Sequence, residues 1–205
     1  MQNGPVSDSG VAFHRYISDL LELTGGHLPD GLTGQEWEIA ARKAAVAGLP
    51  REGPWPEAVS GAVIRVILND PFPVEYNPLL KLALEAAGRR RVQEGLIAGL
   101  ENGTSAEKVA AVGAWYRARP PLVYRGLASL LDGGEGVPTE ESKREYDAVE
   151  DLRIRWRQAT LREFVANEDP DVRRALREEI SLDPARYPAG FADLVAEAAR
   201  IARTC

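Results

Sequence analysis

The chain has 205 residues, of which 44% are hydrophobic and 27% charged, a composition typical of a folded globular domain. Its one cysteine, Cys205, excludes an intramolecular disulfide, a zinc ribbon and an iron–sulfur cluster, and two histidines are too few for a three-histidine zinc site. The net charge of −6 argues against general attraction to nucleic acid, and no apolar run approaches the ~20 residues that span a bilayer. We therefore expect a cytoplasmic protein with no membrane partner and no cofactor.

The basic residues are strongly biased toward arginine, since only Lys43, Lys81, Lys108 and Lys143 are lysines. This bias comes with many alanines, glycines and prolines, which is typical of a gene from a GC-rich bacterium. The alternative is selection for bidentate guanidinium contacts. We interpret the bias as bacterial composition.

The N-terminal part of the chain predicts a short tail followed by helices. Residues 1–9 lack helical patterning and have neither the basic start nor the apolar core of a signal peptide, so we expect a flexible tail. From Val11 to Leu23 apolar residues recur at helical spacing and end at a Gly-Gly stop. Thr33 and Glu36 predict a capping box at the start of a second helix. We expect residues 10–205 to form a single elongated helical domain.

The stretch from Ala58 to Leu68 is compatible with two structures. Its apolar spacing fits a helix, but its β-branched run 62–68 also fits a buried strand. No partner strand is visible elsewhere in the chain. We therefore favour the helix.

The middle of the chain repeats a pattern in which an Asx residue precedes proline, which is typical of a helix start. It occurs at Asp70, Asn77, Asp169 and Asp183. A pair of glycines lies between these positions. Gly95 and Gly99 flank the apolar stripe of a helix at 91–100, and this spacing lets another helix come close.

A second capping box, formed by Thr104 and Glu107, predicts a helix with Val109, Val112 and Tyr116 on one face, stopped by two prolines at 120–121. Residues 132–138 are rich in glycine and acid and predict a flexible loop. After it, residues 140–165 predict one long helix, in which Asp151 and Arg155 form a four-residue ion pair, as do Glu140 and Arg144.

The segment TLREFVANEDPDVRRAL, residues 160–176, resembles a HEAT or armadillo-type repeat. In that family a first helix ends in a short Asn/Asp/Pro turn, and a second begins with Val-Arg and packs back on the first. Residues 96–112 keep the helix–turn–helix pattern without the proline or the Val-Arg pair. The resemblance implies an all-α fold of about nine helices, built as stacked antiparallel hairpins in an irregular HEAT-like solenoid.

The chain lacks the short motifs that mark catalytic sites, so we expect a protein that is not an enzyme. His14 and His27 have no serine or cysteine placed beside them by a motif, and we interpret both as surface or partly packed residues. The acidic residues of 140–151 are interpreted as a solvated, salt-bridged face rather than a magnesium site.

Basic clusters lie on three predicted helices, at 89–91, 153–157 and 173–177. If stacking aligned them on one concave face, they could follow a phosphate backbone. Acidic residues are interspersed among them. We therefore expect intramolecular Asp–Arg pairing between successive helices and no nucleic-acid partner.

The strongest candidate for a binding surface is the segment 115–125, because arginine, tyrosine and tryptophan are frequent interface anchors. A proline pair holds part of it extended. The candidate contact residues are Trp115, Arg117, Arg119, Tyr124, Arg125 and, on a separate Gly-Pro-Trp-Pro segment, Trp55. The alternative is that Trp115, Tyr116 and Trp55 belong to the core and the arginines decorate a turn.

These observations predict a non-enzymatic protein-interaction module with a protein partner. The alternatives are an enzyme or small-ligand binder that uses an interhelical pocket, and a nucleic-acid-binding HEAT-like protein. The chain ends at Cys205 without a polar capping helix. We expect either a continuation of the native chain or a homo-oligomer to cover that end.

Overall fold

The structure is a computed structural model that describes residues 8–28, 30–51, 53–71, 77–124 and 137–203. These ranges contain ten α-helices and two short 3-10 helices, and their only β-type pairing is a single bridge between Tyr124 and Pro138. The α-helices are α1 (Asp8–Thr24), α2 (Gly34–Gly48), α3 (Glu57–Asn69), α4 (Pro78–Ala86), α5 (Arg89–Asn102), α6 (Ser105–Ala118), α7 (Glu140–Asp147), α8 (Glu150–Ala166), α9 (Pro170–Arg177) and α10 (Ala192–Ala202). The all-α prediction is confirmed.

Several predicted features lie outside the described residues, namely residues 1–7 of the tail, 132–136 of the loop, Arg125 and Cys205. Helix α1 begins at Asp8. None of the described helices combines the length and apolar character that crossing a membrane requires.

The central element is α3, which packs against α1, α4, α5 and α6. Nine of its thirteen residues are buried, so only a narrow strip of the helix faces solvent. The helix prediction for 58–68 is therefore confirmed. Burial on nearly all sides explains the strand-like composition, because a helix covered all round shows no amphipathic pattern.

Helix α5 approaches α3 closely at two glycines. A Cβ atom at Gly95 would lie 2.6 Å from Ile64 Cδ1, and one at Gly99 would lie 2.7 Å from Leu68 Cδ1. Both distances are too short for a real Cβ contact. The predicted close approach of another helix is confirmed.

Three of the four Asx–Pro pairs cap helices as predicted. The side-chain oxygens of Asn77, Asp169 and Asp183 each accept a hydrogen bond from the backbone N–H two residues later. Asp70 lies at the C-terminal end of α3 and its carboxylate binds Arg42. The residues that its side chain would cap, from 72 onward, lie outside the described part of the chain.

The two predicted capping boxes differ. The box of Thr104 and Glu107 forms at the start of α6 with both reciprocal hydrogen bonds. Thr33 occupies the N-cap position of α2, but its side chain makes no capping bond, so the box with Glu36 is wrong. Gly34 has a φ of +56°, so the chain does not enter α2 with the backbone geometry that a capping box requires.

The predicted long helix at 140–165 is wrong, because it is divided into α7 and α8 at Ala148 and Val149. Val149 leaves the helical region with φ −122° and ψ 22° and is buried. The freed carbonyl of Ala148 accepts a hydrogen bond from Arg90 at 2.8 Å. The break thus satisfies a backbone group through a neighbouring helix.

Helices α8 and α9 form the hairpin predicted at 160–176. Helix α8 ends at Ala166, and α9 begins at Pro170 after a short turn capped by Asp169. Leu161 and Phe164 of the first helix are buried, as are Val172 and Leu176 of the second, and the two helices pack against each other.

Candidate functional site

Both tryptophans predicted as contact residues lie in the core. The ring of Trp115 stacks on that of Trp156 with centroids 4.2 Å apart and planes 6° from parallel. Trp55 is buried and donates its indole N–H to the carbonyl of Pro50 at 2.8 Å. Their prediction as surface contacts is wrong, because each ring finds an internal partner that solvent exposure would remove.

The other residues of the segment remain at the surface. Tyr116 is 67% exposed and Tyr124 is 45% exposed, and Arg117 is exposed as well. Arg119 is partly buried: its guanidinium lies 5.2 Å from the Tyr116 ring centroid and donates to Glu179 at 3.0 Å. The predicted exposed group therefore retains Arg117 and Tyr124, while Arg119 belongs to a side-chain network.

Helix α6 has a stripe of apolar residues that lies apart from its buried face. Val109 and Tyr116 are exposed and Val112 is half-buried, and we call these three residues the outer face of α6. The buried face consists of the smaller residues Ala111, Ala114 and Ala118 together with Trp115. Small residues carry the packing because α3, α5 and α9 all approach this helix.

The chain after α6 is tied to the start of α7. The Thr139 N–H donates to the Val123 carbonyl at 2.7 Å, and the hydroxyl of Ser142 donates to the same carbonyl at 3.2 Å. We call residues 121–124 and 137–139 the bridge segment. Val123, Tyr124 and Val137 are exposed on it, so backbone pairing holds apolar side chains at the surface.

A cleft of about 390 Å³ lies between the end of α6, α7, α8 and residues 178–186. Six charged residues contribute to its wall: Arg119, Arg153, Arg157, Arg186, Glu178 and Glu179. We call it the arginine cleft. The Trp115 and Trp156 rings also line it, and its size falls in the range of ~300–1,000 Å³ usual for ligand pockets.

One carboxylate of the arginine cleft is already used inside the protein. Glu179 accepts hydrogen bonds from the indole N–H of Trp156 at 3.3 Å and from Arg119 at 3.0 Å. It thereby joins α6 and α8 beside the stacked tryptophans. The carboxylate of Glu179 thus neutralises Arg119, and it does not pair with the arginines of α8.

Arg153 occupies an unusual position in the cleft. Its guanidinium lies 3.2 Å from the ring centroid of Tyr146 and pairs with Glu150. Its Nη1 is buried and finds no hydrogen-bond partner within the described part of the chain. Burial, and then the nearby charge of Arg157, lower the pKa of Arg153.

The residues considered for catalysis lie apart. His14 stacks on Trp37 with centroids 4.1 Å apart, whereas His27 is exposed in the following loop. In the acidic stretch, Asp147 pairs with Lys143 at 2.6 Å. The described residues hold no group of three metal-ligating side chains.

The expected pairing between charged helices is confirmed for two arginines. Arg90 forms two bonds of 2.8 Å with Asp151, and Arg155 donates to Glu101 at 2.6 Å. The predicted four-residue pair of Asp151 with Arg155 is therefore replaced by two contacts between α5 and α8. One arginine of each of the two clusters, at 89–91 and at 153–157, is thus paired with a carboxylate of the other helix.

Comparisons of the chain with protein-family models, with curated proteins and with solved structures found no match.

Sequence reasoning missed the arginine cleft as a unit, although one signal was present. Arg153, Trp156 and Arg157 are spaced i, i+3 and i+4, which places them on one face of a helix. Arg119, which directly follows α6, reaches the cleft because α6 packs beside α8, where Trp115 stacks on Trp156. The sequence gives no signal of this packing.

Proposed function

We propose that this chain is a non-enzymatic protein-interaction module that binds its partner through the outer face of α6 and the bridge segment. The observation that carries the proposal is the exposure of Val109 and Tyr116 at helical spacing, with the half-buried Val112 between them. A helix normally turns such a stripe toward its own core. Here the alanine face is buried instead, which leaves the apolar stripe for another surface.

The neighbouring residues have the chemistry of an interface. Tyrosine and arginine are enriched among residues that dominate binding energy, and Tyr116, Arg117 and Tyr124 are all exposed. Arg117 makes no ion pair among the described residues. A partner surface with apolar side chains and a carboxylate would match this group.

We further propose that the helices stack as an irregular HEAT-like solenoid in a cytoplasmic bacterial protein. The packing of successive hairpins supports this architecture. Helices α5 and α6 form one hairpin and α8 and α9 another, with α5 against α8 and α6 against α9. Such stacking builds extended surfaces suited to protein partners.

The test is recovery of a partner from source cells by variants of the outer face. We expect the double substitution Val109→Ser and Tyr116→Ser to reduce the recovered partner at least about tenfold, because it truncates apolar anchors. Arg117→Ala with Tyr124→Ala should also weaken recovery while lowering the melting temperature by no more than about 2 °C, as expected for exposed sites.

The matched control is Ile154→Ser, which changes an exposed apolar residue on α8. It should recover the partner as the unchanged chain does. Light scattering on the same proteins would identify a second copy of the chain as the partner. Equal recovery by the outer-face variants and the control would contradict the proposal.

A further inference from the structure

The arginine cleft carries more positive charge than its surroundings explain. Its wall contains four guanidinium groups and two carboxylates, although the whole chain has a net charge of −6. Glu179 is engaged by Arg119 and Trp156. The exposed Glu178 is then the one remaining carboxylate among these six residues, and Glu150, which does not line the cleft, pairs with Arg153.

Two of those arginines lie on the same face of α8. Arg153 and Arg157 are one helical turn apart. Burial is the larger cause of the lowered pKa of Arg153, and the positive charge of Arg157 is the second cause. Like charges at this spacing destabilise a helix. An anion placed between them would relieve the repulsion.

Hydrogen bonding in the cleft is also incomplete. Nη1 of Arg153 and Nε of Arg119 are both buried without a hydrogen-bond partner among the described residues. A buried donor without an acceptor costs about 1–3 kcal/mol, and both donors belong to residues that line the cleft. Arg157 meanwhile donates to the Arg186 carbonyl at 3.2 Å, which fixes the rim.

Elsewhere on the same helix the fold supplies carboxylates. Arg155 faces away from the arginine cleft and pairs with Glu101 at 2.6 Å. On the side that lines the cleft, Arg153 pairs with Glu150 of its own helix, and Arg157 makes no ion pair among the described residues.

We propose that the arginine cleft is a binding site for a small, multiply charged anion that carries carboxylate or phosphate groups. Arg153 and Arg157 hold the oxyanion, since a guanidinium fork matches the geometry of both groups. Arg186 lies at the exposed rim and contributes to attraction. This site is separate from the outer face of α6 and does not depend on it.

The test is isothermal titration calorimetry of the full chain with citrate and with pyrophosphate, at matched ionic strength. Citrate represents the carboxylate source and pyrophosphate the phosphate source. We expect at least one to bind, and Arg153→Met and Arg157→Met each to weaken that binding at least about tenfold, as for loss of a charge-assisted contact. Arg153→Lys should give an intermediate affinity, because lysine keeps the charge but loses the fork.

Arg155→Met is the matched control, since it removes a charge from the same helix outside the cleft. It should leave the affinity unchanged, as should the double variant Val109→Ser with Tyr116→Ser. Binding of neither probe would overturn the proposal. An equal loss in Arg155→Met would overturn it as well, because binding would then reflect general charge. Thermal melts of each variant separate loss of affinity from loss of fold.

Discussion

Arg42 in the N-terminal region and Arg153 at the arginine cleft are two buried guanidiniums with different surroundings. Their side chains are 9% and 13% exposed, and each lies over an aromatic ring, Phe13 or Tyr146. The charges around them differ. Arg42 has Asp70 and Glu38 as partners, whereas Arg153 has Arg157 close by.

The pairing of Arg42 connects three helices. Its Nε lies 2.9 Å from one oxygen of Asp70 and its Nη2 lies 2.5 Å from the other, while Asn77 donates to the same carboxylate at 3.1 Å and caps α4. Although burial lowers it, hydrogen bonding to Asp70 and the charge of Asp70 hold the pKa of Arg42 above its ordinary value. This guanidinium belongs to the framework.

Arg153 has a single carboxylate partner, Glu150, whose side chain is 47% exposed and therefore well hydrated. An ion pair of that kind contributes little to stability. The comparison teaches that burial alone does not assign a guanidinium to structure or to binding. The number and burial of its carboxylate partners distinguish a structural guanidinium from one that is available for binding.

The largest expected effect is at Arg42. Arg42→Met leaves the Asp70 carboxylate buried without its cation, which should lower the free energy of unfolding by about 3–5 kcal/mol. Urea denaturation measures the loss. Adding Asp70→Leu should restore most of the stability, because an apolar pair of similar volume avoids the uncompensated charge. A loss below about 1 kcal/mol for the single change would remove the distinction between the two arginines.

An intermediate effect is expected at Glu107, which joins α3 to α6 without a cation. Burial raises its pKa, but the Thr104 N–H and the Asn69 amide, donating at 2.8 and 2.9 Å, hold the pKa below its ordinary value. Glu107→Gln replaces one acceptor by a donor and should cost about 1–2 kcal/mol at neutral pH.

The same substitution predicts a pH dependence. Because folding lowers the pKa of Glu107, its ionised form is the one that folding stabilises. That contribution is complete above the unfolded pKa and is lost as pH falls through the folded pKa. Urea titrations from neutral pH down to about pH 3 should therefore show the difference between Glu107→Gln and the unchanged chain shrinking. A difference that grows on acidification would contradict this sign.

The smallest effect on stability is expected at Arg153. Arg153→Met removes the pair with the exposed Glu150 and the contact with Tyr146, but it also ends the burial of a charge and the repulsion by Arg157. We expect the free energy of unfolding to change by less than about 1 kcal/mol. Measured beside Arg42→Met, it is the most direct check of the comparison. A loss of about 3 kcal/mol would make Arg153 a framework residue.

Much of the fold was predictable because its signals are local. Helical spacing, Asx–Pro pairs and the Thr104–Glu107 box located most helices, and the β-branched stretch in α3 was correctly placed in a helix. The error at the break before α8 has a tertiary cause. Residues 147–150 lie where a neighbouring helix supplies a partner for the freed backbone, since Arg90 donates to the Ala148 carbonyl.

The candidate site was predictable only in part. Arg117 and Tyr124 are exposed as expected. Trp115 and Trp55 are buried, because Trp115 stacks on Trp156 and Trp55 donates a hydrogen bond to the Pro50 carbonyl. Periodicity placed Val109, Val112 and Tyr116 on one face of α6, but it could not predict that this face points away from the core. Its valines form a better apolar stripe than the alanines, but close approach of three helices favours the smaller residues.

By itself the sequence determined the helical class, the positions of most helix ends and the close approach of another helix at Gly95 and Gly99. These depend on backbone geometry and on spacing within a few residues. Only the tertiary structure decided which carboxylate each arginine meets, which face of α6 is buried and which side chains assemble the arginine cleft. An arginine reaches several residues in any direction, so its partner depends on which helix is packed beside it.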